Sequence, residues 1–297
     1  MNKERISSIC LTPFLSGVIK KFIAFPRYKL QLRVCRKGYS SYEALYRQKI
    51  LFVAGLPKSG TTWLEKMLFS LPGFHEIMIP EAVYYEQKNG GSHDFNIPEN
   101  TISRLNRSLA VLKLHVHGSI NNVLVLEKAK INYVVIFRDL RDVAVSYFYY
   151  VRNTPWHPEH KRYMRLPTVQ DGLMEFGKVL LPAYKEWVDS WQLNGTGRCM
   201  IVRYEDMRAD TFNVFSRILG HFQIDLSEDE IKSIIEENSF KALTKGRKEG
   251  QDDSSSFFRK GVTGDWKNHF NDDLKDLYKA EIGDFLIKNG YEKDLNW

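Results

Sequence analysis

The sequence predicts a single α/β domain in which a central parallel sheet lies between two layers of helices. One observation is an apolar run at residues 50–55, followed by a phosphate-loop-like turn and then by helical periodicity over 61–70. A second is a similar strand, turn and helix pattern that starts at residue 131. A third is size, because 297 residues with 43% hydrophobic content can bury a full core.

The first 49 residues are predicted to form a basic N-terminal arm, and residues 50–297 the domain. Residues 1–50 hold 11 Lys and Arg against 2 Asp and Glu, so the net charge of +7 belongs to the arm. A nucleic-acid-binding protein would spread its basic residues over a folded face, and we therefore expect no nucleic-acid partner. The arm contains apolar residues at helical spacing, which predict an amphipathic helix ended by Pro26: Leu11, Leu15, Val18, Ile19, Phe22 and Ile23.

Two interpretations of this helix stay open, since it can pack on the domain or lie against anionic lipid. It is too short and interrupted to span a bilayer, and no small-residue cleavage site follows it. The cysteines Cys10, Cys35 and Cys199 are few and widely spaced, which is typical of a reducing compartment, and they offer no metal-ligand pairing. We therefore expect a cytoplasmic protein without a metal and with at most peripheral membrane contact.

Further strands and helices alternate along the rest of the chain. Residues 111–117 alternate in polarity, which places Lys113, His115 and His117 on one face of a strand. Residues 131–137 predict a buried strand that continues into a polar turn at 138–142 and a helix over 143–151. Residues 198–204 predict another strand, 212–222 and 228–237 predict helices, and the Gly-, Asp- and Ser-rich segment 245–256 predicts a mobile loop.

The loop after the first strand reads Gly55-Leu-Pro-Lys-Ser-Gly-Thr-Thr-Trp63 and suits a phosphate or sulfate group. An ATP-binding loop would have Lys and Ser/Thr directly after its last glycine, whereas here Thr61-Thr62 follows Gly60. Lys58 instead lies inside the loop, and no hydroxyl is placed for a magnesium ion. This argues against a P-loop kinase and favours a donor whose transfer needs no metal.

These residues resemble the PAPS-dependent sulfotransferases of the cytosolic type, which use 3′-phosphoadenosine 5′-phosphosulfate (PAPS). The resemblance implies that the loop and the start of its helix bind the donor, through Lys58, Ser59, Gly60, Thr61, Thr62 and Trp63. A second family signature is matched by Phe137-Arg-Asp-Leu-Arg-Asp-Val-Ala-Val-Ser-Tyr147, in which Arg138 and Ser146 occupy the positions for the 3′-phosphate. Without the resemblance, Arg138 would be expected to pair with Asp142.

A third signature is matched by Phe257-Phe-Arg-Lys-Gly-Val-Thr-Gly-Asp-Trp-Lys-Asn-His-Phe270. It implies that Arg259, Lys260 and the Gly261 backbone also bind the 3′-phosphate, the group that distinguishes PAPS from ATP. By the same resemblance Trp63 and Tyr204 flank the adenine, and Asn238-Ser-Phe240 occupies the place of a Thr-Ser-Phe cofactor contact, which implies cofactor binding by Asn238 and Ser239. Asn238 stands where the family has threonine.

On the acceptor side, Lys113-Leu-His115 matches the family's Lys-x-His, which implies that His115 is the general base. The implied mechanism has Lys58 stabilise the leaving nucleotide and Ser146 hold Lys58 away until the acceptor binds. His117 shares the face of His115, and Glu81 corresponds to the carboxylate base of carbohydrate sulfotransferases, so both stay open as alternatives. Aromatic residues expected to line the acceptor pocket are Tyr84, Tyr85, Trp156 and His157.

The sequence therefore predicts transfer of a sulfuryl group from PAPS to a hydroxyl or amine of a small molecule, leaving 3′,5′-adenosine bisphosphate (PAP). Alternatives are a carbohydrate or glycolipid sulfotransferase with a Glu base, a P-loop kinase and a non-catalytic nucleotide-binding protein. The family's dimer motif is replaced by Asn271-Asp-Asp-Leu, which leaves the oligomeric state open.

Overall fold

The computed structural model describes residues 13–89 and 92–297. Within them a single sheet has five parallel strands in the order β2-β3-β1-β4-β5. The strands are Ile50–Gly55 (β1), His75–Ile77 (β2), Ala110–Leu114 (β3), Tyr133–Phe137 (β4) and Cys199–Arg203 (β5). The predicted parallel α/β architecture is confirmed.

The helices that cover the sheet begin and end as follows: Pro13–Tyr42 (α1), Thr61–Phe69 (α2), Pro80–Lys88 (α3), Thr101–Arg104 (α4), Ile120–Lys128 (α5), Leu140–Arg152 (α6), His160–Tyr163 (α7), Val169–Val179 (α8), Leu181–Asn194 (α9), Tyr204–Ala209 (α10), Thr211–His221 (α11), Glu228–Glu237 (α12), Phe240–Leu243 (α13) and Asp272–Lys288 (α14). Short 3-10 helices occupy Glu43–Leu45 and Asp265–Asn268. No helix in the described part of the chain is long and apolar enough to cross a membrane.

Alternate residues of the central strands belong to two separate hydrophobic cores, one on each face of the sheet. On β1, Phe52 and Ala54 pack into one core, whereas Leu51 and Val53 pack into the other. Successive side chains of a strand point to opposite faces, so a strand buried on both faces reads as the continuous apolar run seen in the sequence. The three-layer arrangement follows from this double burial.

The structure corrects the prediction that Pro26 ends the N-terminal helix, since α1 continues through Pro26 to Tyr42. A proline inside a helix removes one hydrogen bond, a cost that tertiary contacts can outweigh. Here Arg27 and Gln31 bond the Glu76 carboxylate on β2 at 2.8 and 2.9 Å, and Cys35 is fully buried. Leu11 and the side chains of residues 13–22 lie outside what the structure describes.

Other boundaries differ by a few residues. The strand predicted at 111–117 ends at Leu114, so His115 and His117 lie in the segment that follows β3. The edge strand β2 was not predicted, because His75-Glu-Ile77 is only three residues long and carries no apolar run. No helix or strand occurs in 245–256, as the composition of that segment predicts.

Candidate functional site

The candidate site lies at the carboxyl ends of β1 and β4. At this point the strand order reverses, because successive strands are added on opposite sides. β1 pairs with β3 on one side and β4 on the other, and the chain leaves β1 toward β2 but leaves β4 toward β5. In open α/β sheets such a point opens a crevice outside the strand ends, and ligands bind there. The first two predicted signatures are the two loops that flank this crevice.

The loop after β1 wraps tightly before it enters α2. Leu56 N donates to Ile136 O of β4 at 2.9 Å, and Ser59 N donates to Leu56 O at 3.2 Å. Both Lys58 (φ 68°) and Gly60 (φ 77°) adopt left-handed backbone conformations. A Cβ on Gly60 would lie 2.4 Å from the Tyr204 ring, so only glycine permits this close approach.

The same loop offers donors for an anion. The first amides of α2, those of Thr61 and Thr62, have no acceptor within the helix and lie at its positive end. The Ser59 hydroxyl is buried beneath the loop, without a hydrogen-bond partner among the described residues. A buried donor without a partner is unusual in folded proteins, but Ser59 does not line the cavity at this site, so the loop donors that face a ligand are the amides of Thr61 and Thr62.

Arg138 follows β4 and is held by two partners. Its Nη2 donates to Asp142 Oδ2 at 2.9 Å and to Val262 O at 2.8 Å, whereas its buried Nε has no partner among the described residues. The Asp142 carboxylate also accepts from Gly264 N at 2.7 Å and Trp266 N at 2.9 Å. The Arg138–Asp142 pair therefore forms as the residues alone suggested, and it also ties the C-terminal signature to the second one.

In the C-terminal signature, Arg259 and Lys260 share the carboxylate of Asp265. The Lys260 ammonium lies 2.5 Å from Asp265 Oδ1, and Arg259 bonds Oδ2 and also Asp252. Although burial by itself raises the pKa of Asp265, hydrogen bonds from His269, Lys260 and Arg259 outweigh it and hold the pKa well below its usual range. Both cations are thus fixed beside Gly261, whose φ is 67°.

The Lys58 ammonium lies against two aromatic rings. Its ammonium lies 3.8 Å from the centre of the Tyr150 ring and 4.6 Å from that of Phe257. Burial, with the charge of Arg138 adding to it, lowers the pKa of Lys58 to about 7. The restraint of Lys58 by Ser146 that the resemblance implies stays a prediction.

Trp63 and Tyr204 lie on one wall of the crevice, with ring centres 6.2 Å apart. Trp63 Nε1 donates to Asn238 O at 2.9 Å, and the Asn238 amide donates to Ser70 Oγ and Ile234 O at 3.0 and 2.8 Å. Ser239 caps α13 by accepting from Ala242 N. Asn238 and Ser239 therefore support the wall from behind, and neither lines the cavity itself.

Arg208 is a cavity-lining residue that the sequence analysis missed. Its guanidinium lies 5.3 Å from the Trp63 ring centre and pairs with Glu249 at 2.5 Å. It stands four residues after Tyr204 on α10, and residues at that spacing share a helix face. That spacing is the signal that could have identified it.

His115 lines the cavity with a fixed ring orientation. Its Nδ1 lies 2.5 Å from Gly55 O, which requires a proton on Nδ1 and leaves Nε2 as the basic nitrogen. Burial, together with the charge of Lys113, lowers the pKa of His115 to about 4. The imidazole is therefore neutral at pH 7. Lys113 itself pairs with Glu65 on α2 at 2.8 Å.

The two alternative bases differ in position. His117 also lines the cavity, and burial lowers its pKa. Glu81 on α3 forms an ion pair with Arg104 on α4 at 2.6 Å and does not line the cavity. Burial raises the pKa of Glu81, but the hydrogen bond and charge of Arg104, together with a backbone hydrogen bond, outweigh it and lower the pKa.

A third histidine, His93, was missed by the sequence analysis. Its ring centre lies 6.0 Å from that of His115, and its buried Nδ1 has no partner among the described residues. Burial, with contributions from His115 and His117, lowers the pKa of His93 to about 3. His93 belongs to no local pattern in the sequence, and only the fold brings it beside His115.

Most of these groups line one cavity of about 840 Å³; the exceptions among the predicted catalytic and cofactor-binding residues are Ser59, Glu81, Asn238 and Ser239. Trp156 and His157 lie on its wall as predicted, whereas Tyr84 and Tyr85 do not. Six lining side chains are cationic, namely Lys58, Lys113, Arg138, Arg208, Arg259 and Lys260. The acidic lining residues are Glu86 and Glu159, so the cavity is suited to an anionic ligand.

Comparisons with known proteins agree with this geometry. The family model described as "Sulfotransferase domain" matches residues 48–285. Sulfotransferase 1 family member D1 of Rattus norvegicus is 30% identical over 247 residues, which cover 77% of this chain and 80% of that protein. Sulfotransferase 1E1 of Mus musculus is 26% identical over 270 residues, which cover 82% and 87%.

Two solved structures share the fold. The mouse sulfotransferase SULT7A1 complexed with PAP aligns with a TM-score of 0.60 at 21% identity, covering 87% of this chain and 95% of that chain. Retinol dehydratase in complex with androsterone and inactive cofactor PAP aligns with a TM-score of 0.57 at 19% identity, covering 84% and 85%.

Proposed function

The chain belongs to the sulfotransferase domain family and is a PAPS-dependent sulfotransferase, and we propose that it sulfates a hydroxyl of a small molecule with His115 as general base. The observation that carries this proposal is the cavity itself, in which a cationic nucleotide end and a neutral, oriented imidazole face the same space. A binding protein without catalysis would need no such imidazole.

The residues of the cavity fit PAPS on chemical grounds. We propose that the 5′-end is held by Lys58 and the first amides of α2, with Ser59 buried behind the loop. Arg138, Ser146, Arg259, Lys260 and the Gly261 backbone would hold the 3′-phosphate, and the buried Nε of Arg138 is free to donate to it. Trp63 and Tyr204 would pack against the adenine, with Asn238 and Ser239 supporting them from behind.

PAPS supplies an activated sulfuryl group whose leaving group is PAP. In our proposal His115 Nε2 accepts the proton that the acceptor hydroxyl loses as its oxygen bonds to sulfur. The neutral state of His115 at pH 7 makes it a proton acceptor without prior deprotonation. The Gly55 carbonyl holds the ring in place, and Lys113, itself fixed by Glu65, keeps positive charge next to it.

In our proposal Lys58 acts on the leaving group of the transfer. Its ammonium would leave the Tyr150 and Phe257 rings to stabilise the negative charge that develops on the departing nucleotide. A pKa near 7 means that the lysine carries its charge below that pH, and bound anionic groups would favour the charged form further. No step requires a divalent cation.

A small hydroxylated acceptor suits the remaining space. A cavity of about 840 Å³ must hold both donor and acceptor, and its acceptor end is walled by aromatic rings, including Trp156 and Tyr184. An amine would lose its proton to the same base. The carbohydrate alternative with Glu81 as base is less well supported, because Glu81 is paired with Arg104 outside the cavity.

We also propose that the enzyme acts in the cytoplasm. Cys35 and Cys199 are free thiols, as expected for a reducing compartment. Fractionation of cells that express the full chain would place it, and recovery from a secretory compartment would overturn this proposal.

The function is tested by calorimetric titration without magnesium, using PAP and separately ATP. We expect PAP to bind at least tenfold more tightly, because in our proposal Arg259 and Lys260 bind a 3′-phosphate that ATP lacks. Arg259→Ala should remove most of this preference, whereas Arg217→Ala on the exposed surface of α11 should leave it unchanged. ATP preference, or turnover that requires magnesium, would support the kinase alternative instead.

A further inference from the structure

The outward face of α1 carries an apolar stripe that nothing in the described chain covers. Ile23, Leu30 and Val34 are 50%, 61% and 37% exposed. They are spaced by seven and four residues, so they lie on one face of the helix. Single exposed apolar residues are common on protein surfaces, but an aligned stripe on one helix is typical of an interaction surface.

The opposite face of α1 fixes how the helix sits on the domain. Ala24 and Cys35 are buried, and Tyr28 and Leu32 pack against the main core. Phe25 contacts the Tyr84 ring on α3, with ring centres 6.0 Å apart. The helix therefore packs on the domain through one side, and the apolar stripe lies on the side that does not contact the domain core.

The charge of α1 is entirely positive. The helix holds seven Lys and Arg and no Asp or Glu. Lys37 and Arg33 lie beside the stripe, and Lys29 lies further round the helix; all three are exposed and form no ion pair with another described residue. Arg27 is the exception, since it pairs with Glu76 at 2.8 Å.

We infer that α1 binds the surface of an anionic lipid bilayer, with the stripe inserted among the headgroups and the basic residues beside the lipid phosphates. An apolar stripe bordered by Lys and Arg is the composition that interfacial helices use. Each such residue near an anionic surface strengthens binding by about fivefold. The cytoplasmic leaflet of cell membranes supplies this negative surface, which agrees with the proposed location.

Docking by α1 would also orient the catalytic cavity. α3 contacts α1 through Tyr84, and Glu86 and Asn89 at its carboxyl end line the cavity. Because α3 is nine residues long, this part of the cavity lies within about 13 Å of the contact with α1. A membrane-bound enzyme would therefore hold this part of the cavity on the side of the domain that carries α1.

The experiment is sedimentation of the full chain with vesicles of phosphatidylcholine alone or with 30% phosphatidylserine. We expect binding to the anionic vesicles only, and weaker binding at high salt. Arg33→Glu with Lys37→Glu should reduce the affinity by about 30-fold or more, since two attractive charges become repulsive. Leu30→Ser should reduce it by about tenfold by removing apolar insertion.

The matched control is Lys178→Glu with Lys293→Glu, which changes the net charge equally at two exposed positions outside α1. This control should bind anionic vesicles nearly as the unaltered protein does. Equal binding to neutral vesicles, no effect of the α1 charge reversal, or an equal effect of the control would overturn the inference. A change of oligomeric state by Leu30→Ser without a change in vesicle binding would show instead that the stripe joins two copies of the chain. Turnover of a soluble acceptor by all variants establishes that folding and the catalytic site are intact.

Discussion

Replacing His115 with asparagine should lower kcat by about 100- to 10,000-fold and leave PAP affinity nearly unchanged. The Nδ1 of His115 lies 2.5 Å from Gly55 O, and an asparagine amide can donate to the same oxygen, so the local structure is preserved. With a pKa of about 4, the neutral ring exceeds the protonated ring about a thousandfold at pH 7. The substitution therefore removes a fully available base, which raises the barrier by about 3 to 5 kcal/mol.

The assay measures the initial rate of PAP formation at saturating PAPS. The rate at which the sulfated acceptor appears is the second readout. His117→Asn is the matched variant, because His117 lines the same cavity two residues further along the chain. We expect it to retain kcat within about threefold. Retention of more than a tenth of kcat by the His115 variant, or a larger loss in the His117 variant, would refute the assignment of the base. PAP titration of both variants separates loss of chemistry from loss of the nucleotide site.

Three further predictions concern charge. Above about pH 7, kcat/KM should fall as Lys58 loses its proton. The variant Lys58→Arg should abolish this alkaline decline, even if it lowers the maximal kcat/KM, because arginine keeps its proton. If the decline persists in Lys58→Arg, another group causes it. Burial lowers the pKa of His115 to about 4 and that of His93 to about 3. Below about pH 6.5 these two histidines therefore bind protons in the unfolded chain but not in the folded chain. The free energy of unfolding should fall as the pH drops from 6.5 toward 4, by up to about 1.4 kcal/mol per pH unit for each histidine. Urea midpoints at pH 7.5 and 5 measure this, and His93→Gln should reduce the difference. The variant Asp142→Asn should lower the free energy of unfolding by about 3 to 5 kcal/mol and weaken PAP binding, because Arg138 loses its buried carboxylate partner. A chemical denaturation curve equal to that of the unaltered protein would contradict the role given to this pair.

The strands and phosphate-binding loops could be predicted because their signals are local. β1 and β4 are buried on both faces, which forces a continuous apolar run of a length typical of strands. The loop between β1 and α2 needs Gly60 because the Tyr204 ring lies against it. The prediction that Pro26 ends α1 failed because local propensity was outweighed by contacts with β2, which is distant in sequence.

Within the site, the sequence alone determined the residue types and their order, and hence the family, the donor and the candidate base. Only the tertiary structure decided which of these residues meet and in what state. It buried Lys58 against two aromatic rings, placed Asn238 and Ser239 behind Trp63, and brought His93 beside His115. The physical reason is that pKa, tautomer and ligand access depend on desolvation and on neighbours from other elements, and neither is encoded in a short stretch of chain.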